Sequence, residues 1–182
     1  TLKHWRKRYN YAIPIAVNVA SQQFADASLV PDIKQLALRY QIDPSLLEVE
    51  ITETSLMNDI ELAIHKLEQL KSAGFGIAVD DFGTGYSSLS YLRHLPITTM
   101  KIDRCFVTDL PNESAIASTI LMLGKQLNLH IVAEGIENKH QLDWLKQMDC
   151  EIGQGFYYSQ PLDISEFEDK YIASNTASIS QF

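Results

Sequence analysis

The stretch FGIAVDDFGTG (residues 75–85) decides the fold. Its first half is apolar with no polar alternation, the pattern of a strand buried on both faces of a parallel sheet, and it predicts a strand over 75–80. Two carboxylates, Asp80 and Asp81, stand where that strand ends, and Phe82, Gly83, Thr84 and Gly85 follow. Adjacent carboxylates repel at close range unless a cation sits between them. A solvated turn rich in Asp and Gly is the plainer alternative.

The same grammar repeats on both sides. Upstream, 13–19 (IPIAVNV) and 46–52 (LLEVEIT) read as strands; downstream, so do 98–103 (TTMKID after Pro96 and its neighbours), 129–134 (LHIVAE) and 150–155 (CEIGQG). Helical spacing separates them. It is carried by Val30, Ile33, Ala37 and Tyr40, by Ile60, Ile64, Leu67 and Leu70 with Gly74 at the stop, by Ile116, Ile120, Leu123 and Leu127, and by Leu142, Leu145 and Met148. The segment 86–95 is the weakest of the expected helices. Strict alternation of strand and helix predicts a parallel sheet flanked by helices, either a doubly wound sheet or most of a barrel.

Each strand exits on a polar group. Asn18 closes the first; Glu50, Thr52 and Glu53 the second; Asp80 and Asp81 the third; Lys101 and Asp103 the fourth; Glu134 and Glu137 the fifth; Gln154 the sixth. In a parallel α/β fold all strand C-termini point the same way, so these groups converge on the face where such folds place their sites. Asn, Glu and Asp are hard oxygen ligands suited to Mg²⁺, Mn²⁺ or Ca²⁺, and no His or Cys stands at an exit to favour zinc. Facing acids, Lys101 would pair with them, hold a water or touch a phosphate. Glu134 and Glu137 could supply a general base or support a metal. Asp103 reads as structural, paired with Arg104 or Lys101. The glycines around Gln154 would allow a ligand to approach the backbone.

Composition bounds the rest. The 182 residues, 46% hydrophobic and 21% charged, predict one soluble globular domain. A net charge of −8 speaks against a basic face gripping a DNA or RNA polymer, and a phosphate ligand would need metal ions to mask it. No apolar run approaches the roughly 18 residues that span a membrane. Cys105 and Cys150 lack metal or disulfide spacing and predict a buried pair of free thiols. The chain opens on Thr1 rather than Met and so is expected to be cut from something longer. The basic start followed by AIPIAVNVAS mimics a secretion signal, but Pro14 and Asn18 fit a buried strand better. A frayed tail is expected over 169–182.

In order, VNVASQQF (17–24), EITET (50–54), DDFGTGYSSLSYL (80–92), KIDRCFV (101–107), VAEGIE (132–137) and GQGFYYSQPL (153–162) resemble the EAL-domain family of bacterial cyclic dimeric GMP (cyclic di-GMP) phosphodiesterases. The resemblance covers residues 1–168. It implies a TIM-like (β/α)8 barrel lacking its first strand and helix elements in this chain. It also implies a two-cation site, Mg²⁺ or Mn²⁺ with Ca²⁺ inhibitory, that hydrolyses cyclic di-GMP to the linear dinucleotide pGpG. By this resemblance Asn18, Glu50, Asp80, Asp81 and Glu134 are metal ligands. Lys101 and Glu134 are catalytic, positioning the attacking water and acting as candidate base. Gln154, Asn18 and Pro161 bind substrate. Glu53 and Glu137, with Gly83, Thr84 and Gly85, stabilise the loop 82–88, which also bears on a homodimer. The implied setting is a cytoplasmic domain of a parent fused to sensory or GGDEF domains, compatible with membrane anchoring of that parent.

Three departures stand out. The Glu-Ala-Leu triplet that names the family is absent. Asn18-Val19-Ala20 replaces Asn-Leu-Ser, and Ser159-Gln160-Pro161-Leu162 replaces Ser-Arg-Pro-Leu. A cyclic di-GMP receptor that does not cleave, an inactive fragment, and an interaction fragment pairing through open sheet edges are the competing expectations.

Overall fold

The structure is a computed structural model, and it describes residues 1–10, 12–85 and 89–173, with the backbone alone for Leu89 and Ser90. Among the described residues six strands form one parallel sheet: β1 (Ile15–Asn18), β2 (Leu47–Thr52), β3 (Gly76–Phe82), β4 (Thr99–Ile102), β5 (His130–Ala133) and β6 (Ile152–Gly153). They lie side by side in sequence order, β1 to β6. Every neighbour is parallel, as right-handed βα crossovers require. The result is an incomplete α/β barrel rather than a doubly wound sheet, whose strand order would reverse midway.

Helices cover the outer face. They are α1 (Leu2–Tyr9), α2 (Ser21–Ala25), α3 (Leu29–Tyr40), α4 (Glu53–Met57), α5 (Ile60–Ser72), α6 (Leu89–Leu92), α7 (Ala115–Gln126), α8 (Lys139–Gln147) and α9 (Ile164–Phe167). Strand pleating decides which residues meet them. Val49 and Ile51 of β2, Ile77 and Val79 of β3, Met100 and Ile102 of β4, and Ile131 and Ala133 of β5 are buried in the main core with Leu67, Leu70, Ile120 and Leu145 from the helices. The alternate residues, Glu48, Glu50, Asp80, Thr99 and Lys101, belong to the other face. A two-sided sheet thus puts its grease outside and its charge inside.

Several expectations need correction. The buried face of α5 is wider than the expected stripe: Leu67 and Leu70 are buried with Ala63 and Lys66, and Ile60 and Ile64 pack half-buried against the same core. Lys66 is accommodated because its ammonium donates to the carbonyls of Phe24 and Asp26, at 2.5 and 2.8 Å. Tyr40 and Ile116, which carry the helical spacing in the sequence, are exposed. Of the weak helix at 86–95, Leu89–Leu92 is helical, and residues 86–88 lie outside the described residues. Cys105 is exposed rather than buried, and both cysteines are free. Residues 169–173, placed in the frayed tail, are ordered: Glu168–Ala173 forms a π-helical segment with Ile172 fully buried. That segment closes a second small core with Leu2 and Trp5. The Trp5 indole donates to Glu168 at 2.6 Å, so the two ends of the described chain pack together. Residues 174–182 lie outside the described residues. No helix among the described residues is long and apolar enough to cross a membrane.

Candidate metal and phosphodiester site

Lys101 is the hub. It leaves β4 on the inner face with its side chain 6% exposed, and its ammonium lies 3.0 Å from Glu50, 3.1 Å from Asp80 and 2.6 Å from Glu134. These partners come from β2, β3 and the exit of β5. Three strands therefore deliver one carboxylate each to the ammonium of a fourth. Burial alone would pull the Lys101 pKa down. Hydrogen bonds to Glu134 and Glu50 and the charges of Glu134 and Asp80 outweigh that, and the ammonium is held above its ordinary range.

Asp81 completes an acidic arc. One oxygen each from Asp80, Asp81 and Glu134 lie within 4.8 Å of one another. Asp81 sits in the left-handed region at φ 54°, and its N–H donates to the carboxylate of Asp80 at 3.0 Å. That turn aims both acids at the same space. Burial raises the Asp81 carboxyl, and the charges of Asp80 and Asp103, a hydrogen bond to Asp103 and the charge of Glu134 add to the rise. Burial also raises Glu134; Lys101 opposes it, while Asp80 and Glu50 reinforce it. Crowded hard oxygens that hold protons too strongly fit a divalent cation, which relieves the repulsion that raises them.

The other expected residues sit around this centre. Asn18 is exposed at the end of β1, in register with Glu50. Glu53 is buried at 1% exposure, and its carboxylate accepts from the Gly83 N–H at 2.8 Å. A Cβ on Gly85 would come within 2.7 Å of the same carboxylate, so a side chain there would displace it. Thr84 closes the turn by donating its hydroxyl to the Asp81 carbonyl at 2.8 Å. Glu137 pairs with Arg104 at 2.7 Å, away from the Lys101 cluster. Its backbone N–H donates at 2.8 Å to Gln141, a buried residue of α8 that pins the β5 exit loop.

Two clefts meet at Gln154. One, about 430 Å³, follows the inside of the barrel past Glu48, Glu50 and Lys101 to Gln154. The other, about 440 Å³, joins Gln154 to Phe156, Pro161, Phe167 and Tyr171. Gln154 and Pro161 thus share a wall, one step removed from the acids. The glycines beside Gln154 answer to packing: a Cβ on Gly153 would meet the Ile136 side chain at 2.6 Å, and one on Gly155 the Ile136 carbonyl oxygen at 2.1 Å.

Asp103 differs from its expected pairing. Lys101 and Arg104 are taken by other acids, and Asp103 instead bonds Asp81 and accepts from the Cys105 N–H at 2.8 Å. Burial pushes the Asp103 carboxyl up, but the bonds from Cys105 and Asp81 win and hold it low. Glu48, an inner-face residue in the cleft, was missed. The signal was present, since the alternation in LEVEIT (47–52) puts Glu48 on the face of Glu50.

The family model for the EAL domain matches residues 1–161. The chain belongs to the EAL domain family. Among relatives of this EAL chain, the bifunctional diguanylate cyclase/cyclic di-GMP phosphodiesterase MucR of Pseudomonas aeruginosa is 46% identical over 151 residues, covering 81% of this chain and 22% of MucR. The chain spans about a fifth of the length of the curated relatives it matches. A structure described as the PaMucR phosphodiesterase in complex with c-di-GMP matches with a TM-score of 0.82 and 44% identity, over 85% of this chain and 64% of that one. The EAL domain of Mycobacterium smegmatis DcpA matches with a TM-score of 0.88 and 33% identity, over 95% and 79%. Klebsiella pneumoniae BlrP1, solved with manganese and with calcium in cyclic di-GMP complexes, matches at 0.77 and 26% identity, over 87% and 42%.

Proposed function

We propose that this EAL domain hydrolyses cyclic di-GMP to linear pGpG, using two divalent cations, Mg²⁺ or Mn²⁺, held by Asn18, Glu50, Asp80, Asp81 and Glu134. The observation that carries the reading is the convergence of Glu50, Asp80 and Glu134 on Lys101, with Asp81 alongside, at the exits of four neighbouring strands. The names of MucR and of the cyclic di-GMP complexes supply the substrate class.

What the bound cations supply is charge withdrawal from the phosphodiester and a water acidic enough to attack at neutral pH. The chain's own residues do the rest. Lys101, kept charged by three acids, donates hydrogen bonds to the attacking water or a phosphate oxygen and does not serve as a base. Glu134, at the exit of β5 and 2.6 Å from the Lys101 ammonium, is the candidate to accept the proton of the water that Lys101 holds. Gln154 and Pro161 orient the ligand from the adjoining cleft. Glu53 holds Gly83, and through it the turn that aims Asp80 and Asp81.

The reading extends to a cytoplasmic setting within a longer signalling protein, to fused domains such as the cyclase half that MucR's name records, and to a homodimer through the loop 82–88. The test is hydrolysis of cyclic di-GMP with Mg²⁺ or Mn²⁺, read as linear dinucleotide by chromatography, by this chain and its Asp80→Ala variant. Cleavage lost in the variant supports the reading. Full activity in the variant removes the metal role, and tight binding without cleavage by the unaltered chain replaces the enzyme with a receptor.

A further inference from the structure

Beneath the Lys101 cluster lies a second polar contact that the proposed chemistry does not use. The Thr99 hydroxyl on β4 donates to the Glu48 carboxylate on β2. The two residues are not on neighbouring strands: β3 runs between β2 and β4. Glu48 reaches across because β3 offers no bulk beneath it. Its register partner is Gly76, where a Cβ would meet Glu48 Cβ at 3.2 Å, and Thr99 is in register with Ala78. Thr99 is buried at 4% exposure.

The placement repeats itself one pleat higher. Glu50 follows Glu48 by two residues on β2, and Lys101 follows Thr99 by two on β4. The same two strands therefore meet across β3 twice, first through Glu48–Thr99 and then through Glu50–Lys101, which are 3.0 Å apart. Alternate strands of a barrel share such layers. We infer that Glu48 and Thr99 form a strap that fixes the curvature of β2–β3–β4 and so sets the span over which Glu50 reaches Lys101. They are positioning residues: neither touches the acids that face the substrate cleft's reacting end. The strap stands on the geometry; its catalytic consequence rests on the phosphodiesterase reading.

The test uses the full chain and the variants Thr99→Val, Thr99→Ser and Glu48→Gln. Val keeps the volume and removes the donor, whereas Ser and Gln each keep a hydrogen-bonding partner. The first readout is acetylation of Lys101 by acetic anhydride, followed by mass spectrometry with exposed lysines as internal standards. Thr99→Val is expected to raise the Lys101 rate about threefold or more, because the pocket opens more often. Thr99→Ser and Glu48→Gln are expected to stay near the parent rate. The second readout is hydrolysis of cyclic di-GMP with Mn²⁺. Thr99→Val should lower kcat about tenfold with KM little changed, a fraction of what about 1 Å of misplacement can cost.

Unchanged labelling in Thr99→Val overturns the strap, as does equal exposure of Lys101 in all three variants. If Thr99→Val fails to fold, faster labelling in Glu48→Ala than in Glu48→Gln supports the strap, and equal labelling in these two overturns it. If the unaltered chain does not cleave at all, the function reading fails while labelling still decides the strap. A lowered melting temperature with unchanged labelling and kcat marks a merely structural role and also overturns it.

Discussion

Replacing Lys101 with Met keeps the side chain's reach and removes its charge. Three carboxylates at 3.0, 3.1 and 2.6 Å then lose their common cation. Each contact is worth on the order of 5 kcal/mol of gross Coulomb energy at an effective dielectric near 20. Most of that is offset by the desolvation already incurred, and removing one partner of a buried ion pair costs about 3–5 kcal/mol net. That loss is a large share of the roughly 5–15 kcal/mol that holds a domain together. In a domain of this size it corresponds to roughly 6–20 °C in melting temperature.

The pH dependence identifies the cause. Without the ammonium, Glu134, which burial and the charges of Asp80 and Glu50 already raise, loses the partner that opposes the rise. A group raised in this way contributes stability that is present below its unfolded pKa and lost as pH rises through its folded pKa. The penalty of Lys101→Met is therefore expected to be full at about pH 7.5 and smaller near pH 5, where Glu134 takes up its proton more readily. Urea denaturation in a chelator at both pH values measures it. Added Mn²⁺ should recover part of the lost stability without recovering hydrolysis. A penalty equal at the two pH values, or below about 1 kcal/mol at the higher one, would refute the ion-pair reasoning.

Two further outcomes follow from the site. Asp81 and Glu134 hold protons above the ordinary carboxylate range, so their ionisation weakens the metal-free fold as pH rises and a cation must compete with protons as pH falls. The rise in melting temperature on adding Mn²⁺ should therefore be larger near pH 7.5 than near pH 5, by differential scanning fluorimetry; a constant rise contradicts the assignment. Gly155→Ala would drive a Cβ to within 2.1 Å of the Ile136 carbonyl oxygen and 2.3 Å of its nitrogen, both backbone atoms. The β6 exit must then part from the β5 exit, breaking the Ile136-to-Gln154 bond at 3.0 Å. Denaturation should show a loss of about 2 kcal/mol or more, and a change under about 0.5 kcal/mol would mean the two loops separate freely.

Much of this was legible in the sequence because a buried parallel strand writes its orientation plainly. Apolar runs located all six strands, and the polar residue at each exit located the site face. Glu50, Asp80, Lys101 and Glu134 could be gathered on one face before any coordinates, but their mutual partners could not. Arg104 choosing Glu137 over Asp103 depends on how two loops pass each other. The helices α2 and α4, five residues each, are too short for a 3.6-residue period to register. Lys66 on a buried face was illegible for a different reason: the carbonyls that satisfy it come from a corner about 40 residues earlier. Ile172 sat in a stretch whose composition suggested fraying, and its burial depends on Trp5 at the opposite end of the chain.

The pleat that separates an oily outer face from a charged inner one also separates two kinds of heritable change. Val49, Glu50 and Ile51 are consecutive in the chain, as are Met100, Lys101 and Ile102, yet successive side chains answer to different demands. Variation at the flanks of these triplets alters how firmly the scaffold holds; variation at their centres alters what it can do. A mutational library restricted to the flanking positions could drift in thermal robustness while leaving the reactive groups untouched, whereas one restricted to the centres changes the chemistry and, through the Lys101 ion pairs, the stability together. Selection can thus tune durability in the flanking codons without touching activity, but it cannot alter the Lys101 codon without moving both.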